Sequence, residues 1–455
     1  MRGPTIVHED ELALERWIGP GDGVVVGQAC AEPTVLVDAL LTQAPEIGPL
    51  RAFVGLTWGD RISRHAPPSL RIVSYGALGT LGRVPDLSVV PCHFSALPAL
   101  FAARALPGDV ALILVAPPDR QGRCSLGVGV DYIADAVNSA RVVIAEVNDH
   151  CPSTAGAWIA WGRIDAAVMT SRPLLEAPVA DPGERERRIA EHVAALVRDG
   201  DTIQTGVGAL PEAIMRELSG RCELGVHSGM ITDGVLDLIE AGVVTNRRKP
   251  SDHGLTVTGA ALGSRRLFDA LADREDVCFH PVSYTHQPAT LASVGRLCAI
   301  NSAVEIDLQG QVNAEAAGQR RLGAVGGQVD FLRAAAAYGG TAIVALRAER
   351  IVRRLSGPVS TSRSDVDWVV TEHGARSLRG LTDAQRAQAL IELAGAERAD
   401  ELSGSAIPTP DQGAPSAMCR HLQVILCAPG QLVRSLRARQ VDQSLGPLRV
   451  GQPAQ

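Results

Sequence analysis

Short, fully apolar runs alternate along this chain with longer segments of helical period. Between the runs, segments such as residues 33–41 and 187–197 repeat apolar positions at intervals of three and four, as amphipathic helices do. Strands that alternate with helices usually pair in parallel, so the pattern predicts an α/β fold with a mostly parallel, helix-covered sheet. The predicted buried strands are residues 24–26, 110–115, 142–147 and 342–346.

A pattern of strand, turn and helix occurs twice. The motif Gly-Asp-Gly-Val-Val-Val-Gly at 21–27, followed by Pro33, returns as Gly-Asp-Thr-Ile-Gln-Thr-Gly at 200–206, followed by Pro211. A second motif with aspartate first and glycine fourth recurs at 119–125 and 307–313. Because the order and rough spacing match, the sequence predicts two homologous α/β lobes.

The length of 455 residues exceeds what one hydrophobic core usually serves, which favours two or three domains. Pro178, Pro182 and Gly183 interrupt the helical pattern and mark a connector. From residue 402 onward, Ser, Gly, Pro and Ala dominate a linker-like stretch. The predicted divisions are an N-terminal domain at 1–178, a C-terminal domain at 184–401, and a linker with C-terminal extension at 402–455.

Composition narrows the class of protein. The formal net charge of -7 argues against binding to nucleic acid or to an anionic membrane surface, because these partners attract positive charge. No apolar run reaches about 18 residues, and the first residues lack the regions of a signal peptide. The 9 cysteines are scattered without a CxxC pair, which is typical of reduced thiols rather than disulfides or zinc. We therefore expect a soluble cytoplasmic protein without a metal site.

Two glycine-rich loops each lie between a strand and a helix. Backbone N–H groups at a helix N-terminus can bind an anion or a developing oxyanion, and paired glycines allow a narrow ligand to approach the backbone. The alternative is a turn that only packs a helix onto a strand. The candidate binding residues are Gly206, Val207, Gly208, Ala209, Gly323, Gly326, Gly327 and Gln328.

These loops belong to a longer series of ordered motifs, which resembles the acetyl-CoA hydrolase/CoA-transferase family, including the 4-hydroxybutyrate-type CoA-transferases. The resemblance covers residues 20–394. It rests on Gly-Arg-Cys-Ser-Leu-Gly-Val at 122–128, Thr-Gly-Val-Gly-Ala-Leu-Pro at 205–211, Gly-Gln-Val-Asn-Ala-Glu at 310–315, Gly-Gly-Gln-Val-Asp-Phe at 326–331 and Val-Thr-Glu-His-Gly at 370–374.

The resemblance implies two related α/β domains that face each other, with an active-site cleft between them and CoA bound mainly by the second. It implies an acyl-CoA thioester and a small carboxylate as substrates, no bound cofactor, and a homo-oligomer. In such enzymes a glutamate attacks the thioester, forms a mixed anhydride and then a glutamyl-CoA thioester, and passes CoA to a second carboxylate.

The chain departs from that family at the nucleophile. The family's glutamate lies in a His-Ser/Thr-Glu-Met stretch, whereas this chain has His-Ser-Gly-Met at 227–230, so Gly229 occupies the nucleophile position. Glycine can supply neither a nucleophile nor a base.

Three interpretations follow from Gly229. Another carboxylate, Glu315 or Glu372, replaces the glutamate, unless these residues only pair with arginine or backbone groups. Alternatively, water or an acceptor attacks the thioester directly with His227 as general base, unless His227 is structural. In the third, the cleft binds acyl-CoA without turnover. CoA transfer is the leading hypothesis, and hydrolysis, direct acyl transfer and non-catalytic binding are the alternatives.

Two further groups of polar residues fit the same hypothesis. Arg248 and Lys249, the only lysine of the chain, are candidates for binding the CoA phosphates. The segment with His280, Tyr284 and His286 is a candidate for the acyl pocket or its rim. That segment lacks a convincing third and fourth ligand for zinc.

Overall fold

In the computed structural model, which describes residues 3–178, 181–272 and 274–404, the apolar runs of the first half form an eight-stranded sheet. Its strand order is 1-11-8-6-2-3-4-5, and every neighbouring pair is parallel. The elements of this half are β1 (Thr5–Val7), β2 (Gly23–Val26), α1 (Thr34–Ile47), β3 (Leu50–Val54), α2 (Arg61–His65), β4 (Leu70–Ser74), β5 (Ser88–Val89), α3 (Leu97–Ala102), β6 (Val110–Val115), β7 (Arg123–Ser125), α4 (Asp131–Ser139), β8 (Val142–Asn148), β9 (Ala155–Gly156), β10 (Trp158–Ala160) and β11 (Ala166–Thr170).

The central strands of this sheet are apolar on both faces. All residues of β6 are buried, and successive side chains enter opposite layers: Val110 and Leu112 pack with α1, whereas Ala111 and Ile113 pack with α4. A strand covered by helices on both sides needs a continuous apolar run, which is the pattern that the sequence shows.

The second half forms a six-stranded sheet of order 13-12-18-23-25-26, parallel except for the last pair. Its elements are α5 (Glu184–Ala194), β12 (Thr202–Gln204), α6 (Ala209–Glu217), β13 (Gly225–Val226), β14 (Met230–Ile231), α7 (Asp233–Glu240), β15 (Thr256–Thr258), β16 (Ala260–Ala261), α8 (Arg265–Leu271), β17 (Val277–Phe279), α9 (Val282–Thr285), α10 (Pro288–Leu291), β18 (Leu297–Ser302), β19 (Glu305–Asp307), β20 (Val312–Asn313), β21 (Ala316–Ala317), β22 (Arg320–Arg321), α11 (Gln328–Ala337), β23 (Thr341–Ala345), β24 (Ile351–Val352), β25 (Trp368–Thr371), β26 (Gly374–Ser377), α12 (Asp383–Ala394) and α13 (Ala396–Ser403).

The prediction of a mostly parallel α/β fold is confirmed, and the four predicted strands are β2, β6, β8 and β23. Both predicted helices exist with other bounds. The helix predicted at 33–41 is the longer α1, and the one predicted at 187–197 begins earlier as α5. In α5 the buried residues Ile189, Ala190 and Val193 set the period, while the acidic residues of the first turn extend the helix toward its N-terminus.

The two copies of the aspartate motif fold into equivalent turns. Oδ1 of the aspartate accepts hydrogen bonds from the N–H groups two and four residues later, both at 2.9 Å for Asp119, and at 3.0 and 2.9 Å for Asp307. The other oxygen accepts from the side chain four residues on, Arg123 at 2.9 Å and Gln311 at 2.8 Å. The repeat found in the sequence therefore corresponds to a repeated hydrogen-bond pattern.

The turns that lead into β2 and β12 are also equivalent. Gly21 and Gly200 have φ of +87° and +82°, which a side chain would disfavour. The following residues, Asp22 and Asp201, each accept a hydrogen bond from the N–H three residues earlier, at 2.8 and 2.9 Å. The two repeated units of strand, turn and helix thus begin with the same turn geometry.

The two sheets belong to one compact unit that extends to Leu402. The first sheet ends with β11 and the second begins with β12, so the change from one lobe to the other falls between residues 170 and 202.

Strand β9 of the first half pairs with β17 of the second, and Gly259 O accepts hydrogen bonds from Val130 and Asp131 N–H at 3.0 and 2.9 Å. The predicted linker and extension lie, beyond residue 404, outside the described residues. Among the helices described, none has the length and apolarity that crossing a membrane requires.

The paired turns give a first prediction. Asp307→Ala should lower the free energy of unfolding by about 2 kcal/mol, because Asp307 is buried and its loss removes the acceptor of the Gln309 and Gln311 N–H groups. Asp119→Ala, which removes the equivalent but exposed carboxylate, should cost clearly less. Urea unfolding followed by circular dichroism measures both. Equal losses would contradict the view that burial sets the importance of the turn.

Candidate active site between the two lobes

A cavity of about 340 Å³ lies where the carboxyl ends of the two parallel sheets face each other. Its walls come from the segments that follow β2, β3 and β4 in the first lobe and β12 and β18 in the second. Ligands of open α/β sheets bind at these strand ends, because loops rather than helices cover the sheet there. The residues that line the cavity include Gln28, Trp58, Tyr75, Phe94, Asp131, Gly206, Val207, Gly229, His286, Gly323, Gly326, Gly327 and Gln328.

The loop at 323–327 closes the cavity by bonding to the opposite lobe. Ala77 N–H donates to Gly323 O at 2.9 Å, and Phe94 N–H donates to Gly326 O at 3.0 Å. Gly326 has φ of +58°, and a Cβ on Gly323 would lie 2.1 Å from a backbone oxygen of residue 314. Glycine is therefore required here for the backbone to approach its neighbours.

The other glycine loop joins β12 to α6. Gly206 and Val207 line the cavity, whereas Gly208 and Ala209 lie outside its wall and begin the helix. Gly208 has φ of +126°, which turns the chain from the strand into α6. The N-terminus of α6 thus follows directly on the cavity wall, where its dipole favours negative charge.

Gly229 lines the cavity, and the ring of His286 occupies the space beside it. A Cβ on Gly229 would lie 2.9 Å from Cε1 of His286, closer than real Cβ contacts, and 3.2 Å from its Nε2, which is a tight contact. A Cβ on Gly327 would lie 2.6 Å from the same Nε2. The imidazole therefore sits between two positions that have no side chain. Burial, and then the nearby His227, lower the pKa of His286 to about 3, so its ring is neutral.

On the first-lobe side, Gln28 and Asp131 form a buried polar pair. Gln28 Nε2 donates to Asp131 Oδ2 at 2.6 Å, while Gln28 Oε1 accepts from Leu56 N–H at 2.8 Å and from the Tyr75 hydroxyl at 3.1 Å. Burial raises the pKa of Asp131 to about 6, although Gln28 and the N–H groups of Ile133 and Tyr132 donate hydrogen bonds that oppose this rise. The cavity thus holds one carboxyl group that titrates near neutral pH.

The predicted base, His227, does not face the cavity. It is fully buried behind Gly229, and its Nε2 donates to the Thr285 carbonyl at 3.0 Å. Nδ1 has no hydrogen-bond partner among the described residues. Burial, and then the charge of Lys249, lower the pKa of His227 to about 4. The burial and hydrogen bonding of His227 therefore fit a structural histidine, which was the alternative to a general base.

The two candidate carboxylates also lie away from the cavity wall. Glu315 accepts a hydrogen bond from the Ser360 hydroxyl at 2.7 Å. Glu372 accepts from Ala348 N–H at 2.8 Å and lies 4.0 Å from Arg185. These are hydroxyl, backbone and arginine contacts, so neither carboxylate is brought next to Gly229.

Neither basic candidate lines the cavity. Lys249 is 2% exposed, and its Nζ donates to the carbonyls of Val226 at 3.0 Å and Leu255 at 2.7 Å. Burial lowers the pKa of Lys249 to about 8. Arg248 is exposed and packs its aliphatic stem against Gly200. The structure therefore does not bring Lys249 to the surface, where a phosphate could reach it.

A second, larger cavity of about 940 Å³ lies at the N-terminus of α5. It is lined by arginines that are paired with acids, such as Arg185 with Glu349 at 2.9 Å and Arg347 with Glu186 at 2.6 Å. Its charges are thus mutually compensated. Within the described ranges, no group of three or more His, Cys, Asp or Glu side chains is arranged to hold a metal ion.

Sequence reasoning missed Gln28 and Asp131 as site residues and gave His286 only as one of several candidates for the acyl pocket or its rim. A signal was present for two of them. Gln28 follows β2 and Asp131 begins α4 beside the Gly-rich stretch 122–129, so both stand at the ends where parallel strands meet loops. His286 gives no such signal, since only the packing of α9 aims it at Gly229.

Two facing parallel sheets with a glycine-lined cavity at their carboxyl ends define a two-lobed α/β protein that encloses a small ligand. The acetyl-CoA hydrolase/transferase N-terminal domain matches residues 82–171, and the C-terminal domain of the same name matches residues 263–406. With the relatives described next, these matches show that the chain belongs to the acetyl-CoA hydrolase/transferase family.

The relatives match across both lobes. The 4-hydroxybutyrate coenzyme A transferase of Clostridium kluyveri is 42% identical over 388 residues, covering 82% of this chain and 90% of that protein. The succinyl-CoA:acetate/propanoyl-CoA:succinate CoA transferase of Fasciola hepatica is 37% identical over 70% of this chain and 69% of its own length. The crystal structure of RipA from Yersinia pestis superimposes with a TM-score of 0.79 at 33% identity, covering 88% of this chain and 96% of RipA.

The buried histidine gives a second prediction. The folded-state pKa of His227 is depressed, so the unfolded chain binds its proton more tightly and this residue lowers stability as pH falls from 6.5 toward 4. His227→Gln removes that loss. The stability of wild type relative to His227→Gln should therefore fall by about 1.5 kcal/mol between pH 7 and pH 5. Urea unfolding of both proteins at several pH values measures it. A difference independent of pH would contradict the buried neutral histidine.

Proposed function

We propose that this chain cleaves acyl-CoA thioesters in the cavity between its lobes and transfers the CoA to a carboxylic acid. The observation that carries the proposal is the cavity, which joins two glycine loops and the strand ends of both sheets. Its volume is within the range of small-molecule sites. Its walls come in part from both family-matched stretches, and the relatives from C. kluyveri and F. hepatica are named as CoA transferases.

Gly229 requires a route without an enzyme acyl intermediate at that position. The acceptor carboxylate attacks the thioester carbonyl carbon, a C–O bond forms, the C–S bond breaks, and CoA thiolate leaves. The thiolate then attacks the acceptor-derived carbonyl of the mixed anhydride, which releases the original acyl group as a carboxylate. An acceptor carboxylate is already ionised at neutral pH, so this route needs no general base. Both substrates must be bound together.

Hydrolysis is the second candidate, and Asp131 is the observation that favours it. Water needs a base, and a carboxyl group whose pKa lies near 6 is well matched to neutral pH. Asp131 lines the same cavity as Gly229. In this route Asp131 takes a proton from the attacking water, and CoA thiolate leaves.

The proposal extends to the setting of the enzyme. The family resemblance supports a homo-oligomer that works on acyl-CoA and a small carboxylate without a bound cofactor. The scattered thiols support a cytoplasmic location, and the two sheets support domains at residues 1–178 and 184–401. Light scattering of the purified chain tests the oligomeric state directly.

The third prediction separates transfer from hydrolysis. With a short acyl-CoA and excess acetate or succinate, the protein should form the new CoA thioester, seen by mass spectrometry, with little free CoA. Because both substrates must bind together, initial-rate plots at several acceptor concentrations should intersect. CoA release that ignores the carboxylate would show hydrolysis instead. Parallel plots would reveal a covalent intermediate, and binding without turnover would refute both enzyme activities.

The fourth prediction concerns the nucleophile position. Gly229→Glu alone should gain little transferase activity, because its Cβ meets the buried ring of His286. The same clash should destabilise the fold, and in a His286→Ala background, which makes room for the side chain, Gly229→Glu should cost about 1 kcal/mol less stability than in wild type. Urea unfolding of wild type, both single variants and the double variant measures this difference.

The matched control is Gly229→Glu with His280→Ala. His280 lies in the same segment but stacks on Tyr284 with ring centroids 4.3 Å apart and does not line the cavity. In this control background Gly229→Glu should cost as much stability as in wild type. If it costs as much in the His286→Ala background too, the steric account of position 229 is wrong.

A further inference from the structure

The ring of His286 is held rigidly in the wall of the cavity. It packs against Phe94 and Phe331, with ring centroids 5.1 and 4.7 Å away. Its Nε2 points between Gly229 and Gly327, the two positions where an added Cβ would crowd it. Since neither residue has a side chain, nothing from these positions separates Nε2 from a ligand in the cavity.

The hydrogen bonds behind the ring fix which nitrogen carries the proton. Nδ1 of His286 lies 2.9 Å from the hydroxyl of Thr285. The same hydroxyl lies 3.3 Å from the Pro281 carbonyl oxygen, but that oxygen already accepts from Tyr284 N–H at 2.9 Å and Thr285 N–H at 3.0 Å. Because Nδ1 is the nearer of the two acceptors and the carbonyl oxygen already has two donors, we assign the hydroxyl as the donor to Nδ1. A neutral imidazole that accepts at Nδ1 carries its hydrogen on Nε2, the atom that faces the cavity.

We propose that His286 is a catalytic residue, whose Nε2–H donates a hydrogen bond to the thioester carbonyl oxygen of the acyl-CoA. The inference rests on the proposed function and names the group that acts on the reacting atoms. As the nucleophile attacks, the carbonyl π electrons move onto oxygen, and the Nε2–H bond stabilises the negative charge. When the C–S bond breaks, the electrons of the oxyanion re-form the carbonyl and CoA thiolate leaves. The proton stays on Nε2 throughout.

The surroundings of the ring suit a donor rather than a base. A neutral imidazole can polarise a carbonyl without transferring a proton, and a preorganised donor in a water-poor site stabilises an oxyanion strongly. The depressed pKa of His286 keeps the ring neutral at the pH where the enzyme works. Gly229 and Gly327 then serve one purpose, which is to leave the donor uncovered.

Two variants of similar length separate the hydrogen bond from the packing. His286→Gln keeps an N–H group near the position of Nε2, whereas His286→Met has none. We expect kcat of the Met variant to fall about 100-fold or more, with KM for the acyl-CoA nearly unchanged, as for loss of one oxyanion donor. The Gln variant should keep most of the activity. Thermal unfolding of each variant shows whether it is folded.

Thr285→Val tests the tautomer separately, because it removes the hydroxyl that donates to Nδ1 and keeps the shape of the side chain. It should lower kcat by about 10-fold without a change in KM, less than the loss of the donor itself. The matched control is His280→Gln in the same segment, which should leave kcat unchanged.

The outcomes distinguish this inference from the proposed function. If wild type cleaves acyl-CoA and a folded Met variant keeps kcat within about 3-fold, or if the Gln and Met variants lose the same factor, His286 is not the donor. Unchanged kcat in Thr285→Val would overturn the assigned tautomer. If wild type itself turns over no acyl-CoA, the proposed function fails, and the role of His286 fails with it.

Discussion

Two backbone hydrogen bonds between the lobes, from Ala77 N–H to Gly323 O and from Phe94 N–H to Gly326 O, are the contacts on which the site depends. They bring the glycine loop of the second lobe onto the strand ends of the first. Other contacts, such as the pairing of β9 with β17, join the lobes elsewhere, but these two bonds hold the glycine loop against the first lobe. With them, the carboxyl ends of both sheets enclose one cavity, and groups from both lobes reach the same small volume.

Inside that cavity, two glycines determine where a neighbouring side chain can lie. Gly229 and Gly327 leave space that the ring of His286 fills, and the ring is neutral because burial opposes its charge. Catalysis that relied on a carboxylate at position 229 would use covalent chemistry. In the mechanism that we propose, the ring of His286 instead acts as a fixed hydrogen-bond donor, with Asp131 and its partner Gln28 on the opposite lobe, and the substrates supply the nucleophile.

The fold could be predicted in some detail because its signals are local. The apolar runs of β6 and β8 are buried on both faces, which only a helix-covered parallel sheet allows. The paired turns at Asp119 and Asp307 were visible as a repeated motif because one aspartate satisfies several N–H groups in both copies. Helix bounds were less accurate, since α5 begins with acidic residues that carry no apolar period.

The sequence by itself determined the two α/β lobes and the two glycine loops, and it led to the hypothesis that Gly229 stands at the nucleophile position, because each depends on residue type and spacing along the chain. Tertiary structure decided which side chains meet at that position. It buried His227 and Lys249, gave Glu315 and Glu372 other partners, and placed His286 beside Gly229. These contacts depend on the packing of α9 between the lobes, and such long-range packing leaves no periodic trace in the sequence.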